Sequence, residues 1–187
     1  GYLTWLNEAL SDVDSEKIRV VDESTAAALG YAVTEPGAIV LVFDFGGGTL
    51  DLSLVQLPES PQKTGGFLKK LLRGGAAQQT ARVIAKAGRV IGGSDIDQWM
   101  LAEVLRRLQL SPAGLGTAYP QALTQCETAK ITLSTQETAE IRFAIERRSF
   151  QVDFTRGELE NLLQAEGFFD ALRHVVDKVM AVAHQGG

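Results

Sequence analysis

The chain has 187 residues, 45% of them hydrophobic, enough to bury one good core or two small ones. A net charge of −5 argues weakly against a nucleic-acid partner, no apolar run approaches the roughly 18 residues of a membrane span, and no secretory signal pattern opens the chain. The single cysteine, Cys126, excludes an internal disulfide and any cysteine-cluster metal site, so a reducing, cytoplasmic setting is expected. Because the chain starts at Gly1 and ends in Gly186-Gly187, it reads as a piece excised from a longer protein.

In chain order, residues 2–10 place Leu3, Leu6 and Leu10 on one side, the tail of an amphipathic helix. "KIRVV" (17–21) reads as a strand, and "STAAALGYAV" (24–33) as a short, closely packed helix capped by Ser24. "AIVLVFDF" (38–45) reads as a buried strand. "LDLSLVQL" (50–57) alternates, with Leu50, Leu52 and Leu54 on one face, and the two strands bracket "GGGT" as a hairpin would. Acids dominate before residue 58. From Pro58 to Arg89 seven bases face only Glu59, and the Pro- and Gly-punctuated part, roughly 58–79, marks a basic insertion.

"TARVIAKAG" (80–88) returns as a strand. Residues 92–110 predict a helix capped by Ser94, with Asp97 three residues on and Ile96, Met100 and Val104 on one face beside Trp99. A second helix covers 120–134, with Cys126 as a packed thiol, and a hairpin follows (137–145 and 148–154) around Glu146-Arg147. "TRGELENLL" carries a capping box, Thr155 with Glu158, and a last helix runs over about 165–184. His174 and His184 have no ligand partners in sequence, and Trp5 and Trp99 read as core or interface anchors. Strands, a hairpin and helices in this order place the chain in the α/β or α+β class.

"VLVFDFGGGTLDLS" (40–53) is where chemistry concentrates. Glycine permits positive φ and lets a ligand approach bare backbone, and consecutive N–H groups in such a turn form a concave anion site. Thr49 adds a hydroxyl at its lip. Asp44 and Asp51 would repel a phosphate unless a cation stood between, which points to Mg²⁺ held largely through waters. Neither a P-loop nor a GxGxxG fingerprint occurs in the chain. Three glycines exceed what a simple turn needs.

The same stretch resembles the second phosphate motif of the Hsp70 chaperone ATPase domain, in the actin/hexokinase/Hsp70 superfamily. "RVVDESTAAALGYAV", "GRVIGGSDIDQWM", "CETAKITLS" and "TRGELENLL" resemble further Hsp70 motifs in the same order. The resemblance implies lobe II of an actin-like (ribonuclease H-like) ATPase, an α/β fold of mixed sheet with flanking helices plus a small α+β subdomain. About 1–110 and 155–187 would form the base and about 111–154 the upper subdomain.

It also implies that Gly46, Gly47, Gly48 and Thr49 hold the ATP phosphates and that Asp44 and Glu23 organise waters around Mg²⁺. Asp51 would place the attacking water, making Asp51, Glu23 and Asp44 the catalytic set. Glu127, Lys130, Ile131 and Ser134 would face adenosine; 127, 130 and 134 recur on one helix face. The partners implied for the parent are unfolded peptide clients, J-domain co-chaperones and nucleotide exchange factors, with no DNA.

Four departures from the family pattern stand out: Asp22 for Asn, Ser24 for Pro, Ile131 for the arginine that lies against adenine, and the long insertion. Ile131 can pack on a base but offers no cation–π attraction, about 0.5–2 kcal/mol. The upstream phosphate loop, the catalytic lysine region and the downstream "GGSTRxP" segment of the family are absent. Two alternatives stay open: a non-hydrolysing Hsp70-like interaction protein, and a small-molecule kinase of the same superfamily.

Overall fold

A computed structural model describes residues 37–57 and 81–185. The expected helices at 2–10 and 24–33, the strand at 17–21, the basic insertion, Glu23 and Trp5 lie outside these residues.

Strands β1 (Ile39–Phe45), β2 (Leu50–Gln56) and β3 (Arg82–Arg89) form a sheet in that order. Helix α1 (Gly93–Leu108) follows, then a 3₁₀ segment (Pro112–Ala118) and helix α2 (Tyr119–Leu133). A two-stranded sheet, β4 (Thr138–Ile145) with β5 (Arg148–Thr155), leads to helices α3 (Arg156–Ala165) and α4 (Phe168–Gln185). The fold is mixed α/β, as expected. Among the described residues no helix is long and apolar enough to cross a membrane.

The chain divides into two compact units. The described residues of the first are 37–42, 53–57, 81–86 and 182–185; its small core has Val55 and Leu57 packed with Val40, Val42 and Val83. The second unit is 43–52 with 87–181, and its core is larger. The inner faces of α1 (Ile96, Met100, Val104) and α2 (Ala122, Cys126, Ala129, Leu133) meet Ile141, Phe143 and Phe154 of the hairpin, all buried. Periodicity alone predicts the α1 face, because apolar side chains three and four apart share one side of a helix.

Two strand expectations need correction. β1 is not buried throughout: Ile39, Leu41 and Phe43 are 62%, 52% and 52% exposed, so only its alternate residues are covered. In β2, Leu50 and Leu52 are buried as predicted, but the buried set then shifts by one to Ser53, Val55 and Leu57, leaving Leu54 half-buried. Period two therefore does not run unbroken along this strand.

The β4–β5 hairpin pairs Ile145 with Arg148 and Thr138 with Thr155, so Glu146 and Arg147 form its two-residue loop. Glu146 takes φ 52° there. Helix α3 opens with the predicted capping box: Thr155 N donates to Glu158 Oε2 (2.7 Å) and Glu158 N to Thr155 Oγ1 (3.1 Å). Arg156 closes the end of α2, its guanidinium donating to the carbonyls of Leu133 (2.9 Å) and Gln136 (3.0 Å). A cation placed there satisfies orphan carbonyls and opposes the negative helix end.

Candidate functional site

The site lies in the second unit, where the glycine hairpin meets the start of α1. Within the hairpin, Gly46 N donates to Thr49 O (2.9 Å). The carbonyls of Gly46 and Gly47 accept from Gly93 N (3.0 Å) and Ser94 N (2.8 Å), two of the first amides of α1. A helix start always leaves such donors unsatisfied by its own turn. Here they hold the loop by its carbonyls. The amides of Gly47 and Gly48 have no partner among the described residues, and all three glycines are exposed.

Backbone conformation and packing among the described residues do not explain the three glycines. None of them has φ in the left-handed region, so the positive-φ part of the sequence argument does not apply. Among the described residues, a Cβ on Gly48 would meet nothing within 4 Å, and one on Gly47 would lie 3.6 Å from Ser94 Oγ, an ordinary contact. The clearance above the loop faces outward. Glycine is required internally on the other side, at Gly92. A Cβ there would overlap the Gly47–Gly48 peptide, although Gly92 itself is in extended backbone (φ −154°).

Gly92, not Ser94, caps α1, which corrects the sequence expectation. A cap pressed against a peptide has no room for a side chain. The helix instead takes its carboxylate from Asp95, whose Oδ2 accepts from Gly92 N at 2.7 Å. Ser94 sits inside the first turn. Asp97 serves elsewhere: it is buried, 6% exposed, and its Oδ1 stands 2.7 Å from Lys130 Nζ. That approach is off the hydrogen-bond direction, so the contact acts through charge. Lys130 Nζ also donates to Gly93 O at 2.9 Å, and a Cβ on Gly93 would lie 3.1 Å from it.

Of the other sequence-predicted residues, Asp44 and Thr49 are exposed beside the loop. Asp51 is half-buried, its carboxylate lying over Gly88 of β3, where a Cβ would overlap it. Glu127 and Ile131 are exposed on α2, Ile131 at 62%, and Ser134 Oγ donates back to Ile131 O (2.6 Å). Lys130 is the α2 residue joined to the loop's support. Cys126 is a packed thiol on the inner face of α2, and burial, with Asp97 nearby, pushes it up to about 12. No group of three His, Cys, Asp or Glu able to hold a metal occurs among the described residues, and Glu23 is not one of them.

Sequence reasoning missed Gly88, Gly92, Gly93, Asp95 and the Asp97–Lys130 pair. Glycine inside a strand and a double glycine at a helix start were the available signals, since both mark close backbone approach. Nothing in the spacing of Asp97 and Lys130, on different helices, could have joined them.

The family model described as "Hsp70 protein" matches residues 13–185. The chain is 30% identical over 180 residues to a heat shock protein of Pyricularia oryzae, covering 91% of this chain and 26% of that protein. It is 31% identical to the heat shock 70 kDa protein of Ajellomyces capsulatus (87% and 22% covered) and 32% identical to the chaperone protein HscA homolog of Vibrio cholerae (78% and 20%). The chain thus spans about a quarter of the length of these curated relatives. With the glycine loop, the GGSD helix start and the CETAK helix assembled in one unit, and a family match over nearly the whole sequence, the chain belongs to the Hsp70 family.

Proposed function

We propose that the chain is lobe II of the nucleotide-binding domain of an ATP-dependent chaperone, in which ATP binding and hydrolysis control the grip on unfolded peptides. The observation that carries this reading is the orientation of the loop. Its carbonyls are tied to the start of α1, and the amides of Gly47 and Gly48 are left to meet an anion. The Thr49 hydroxyl adds a donor beside them. Glycine at 46–48 then provides clearance for the ligand, a role that packing among the described residues leaves open.

In this reading Gly46, Gly47, Gly48 and Thr49 hold the β- and γ-phosphates, and Asp51 orients the attacking water. The exposed Asp44 and half-buried Asp51 carboxylates beside an anion cradle fit a hydrated divalent cation. Asp44, with Glu23 as the family resemblance implies, would hold it through its waters. Bound Mg²⁺ neutralises charge on the phosphates. Glu127, Lys130, Ile131 and Ser134 form the adenosine face of α2. Residues of about 1–110 and 155–187 make the base of the lobe and about 111–154 its upper part, with 58–79 a basic insertion. The parent works in the cytoplasm with J-domain co-chaperones and nucleotide exchange factors.

Calorimetry and amide NMR of the full-length protein with Mg²⁺ and ADP or ATP test the reading. Binding that moves the amide resonances of residues 44–51 supports it, and resonances that stay still refute it. Ile131, exposed where the family carries arginine, favours a second reading, a non-hydrolysing interaction protein. Absence of nucleotide affinity would favour that one. The 187-residue chain alone is expected to hydrolyse ATP barely. Three missing charged contacts at about 1.5–3 kcal/mol each weaken binding on the order of 10³-fold or more, and positioning is lost with them. Turnover matching a complete ATPase domain would refute this.

A further inference from the structure

We propose that Asp97 is a positioning residue: it holds the Lys130 ammonium over Gly93 and so couples the α2 face to the glycine loop. Lys130 stands where a cation is disfavoured, at the positive N-terminal end of α1. An anion must hold it there. Asp97, buried on α1 and 2.7 Å from Lys130 Nζ, is that anion. The contacts then run without a gap. Lys130 Nζ meets Gly93 O (2.9 Å), Gly93 N meets Gly46 O (3.0 Å), and Gly46 N meets Thr49 O (2.9 Å).

The whole relay lies in one compact unit. Glycine at 93 lets the ammonium sit against the backbone. Loss of the Asp97 charge releases Lys130 and removes the support behind the first turn of α1 and the loop bound to it. In its ligand-binding consequence the proposal rests on the nucleotide reading above. Its structural core does not.

The test uses full-length protein labelled with ¹⁵N-glycine, first without nucleotide. In Asp97→Asn the Gly47 and Gly48 amides shift while Gly114 and Gly157 stay in place, and Lys130→Met produces the same pattern. Adding Asp97→Asn to Lys130→Met changes nothing further, because Asp97 acts through Lys130. Affinity for ADP falls roughly tenfold in each single variant, the size of a typical coupling between sites.

Folded Asp97→Asn with unmoved loop glycines, or effects that add in the double variant, overturn the proposal. If Asp97→Asn fails to fold, the double variant, which leaves no buried charge alone, decides. A glycine spectrum like that of Lys130→Met supports the proposal, and one like wild type overturns it. Should wild type not bind ADP, the nucleotide reading falls and the ligand-free spectra alone decide the relay.

Discussion

Gly48→Ala and Gly92→Ala add the same methyl group on opposite sides of one peptide, and the structure assigns them opposite consequences. At Gly48 the new Cβ has no atom of the described residues within 4 Å, and the backbone is outside the left-handed region. Folding stability should therefore hold or rise by about 0.4–1 kcal/mol, since alanine narrows the unfolded ensemble. If the loop binds an anion as proposed, however, the methyl would occupy the space in which that anion meets the amides. Loss of one charged hydrogen bond, about 1.5–3 kcal/mol, weakens ADP by roughly 10- to 100-fold.

At Gly92 the methyl overlaps the Gly47–Gly48 peptide, which must retreat by about 1 Å to reach ordinary carbon contact near 3.5 Å. Overpacking costs about 1–3 kcal/mol, and stretching the Gly93–Gly46 and Ser94–Gly47 hydrogen bonds adds about 1 kcal/mol each. For a cooperative unit of about 150–250 residues that lowers its own melting transition by roughly 10 °C. Thermal melts and ADP titration of both variants in the full-length protein read the contrast. If Gly48→Ala destabilises as much as Gly92→Ala, or binds ADP like wild type, the account of the loop as an outward-facing cradle is wrong.

Acid stability gives another check. The Arg106 hydrogen bond, with Arg107 assisting, holds the Glu103 carboxyl down at about 2, against an ordinary 4.5. A carboxyl lowered by folding stabilises the native state above its ordinary range, and that contribution is lost as pH falls from about 4.5 toward 2. Solvent screening limits it to about 1 kcal/mol, so Glu103→Gln should show a deficit of that size in urea at about pH 7 that closes by about pH 2. An equal deficit at both pH values would count against the pairing. In the β4–β5 loop, Glu146→Asn should raise stability by about 0.5–1 kcal/mol, because asparagine tolerates the φ of 52° better than glutamate. A lower Tm would show that the Glu146 side chain contributes more than its backbone conformation costs.

Local chemistry made much of this protein readable in advance. Apolar side chains at helical spacing located α1 and its buried face of Ile96, Met100 and Val104, because that pattern depends only on neighbours along the chain. Thr155 and Glu158 announced the start of α3 for the same reason. The glycine triplet identified the loop, since its entropic cost needs a purpose that a turn does not supply. What the residues did not reveal is contact between distant segments. Gly92 replaced Ser94 as the cap because a peptide 44 residues earlier presses on it, and no propensity of serine or glycine encodes that pressure. The direction in which the loop amides face was decided by α1, whose first N–H groups took the carbonyls. Asp97 and Lys130 met only because packing laid α2 against α1, and burial then made their charges depend on each other.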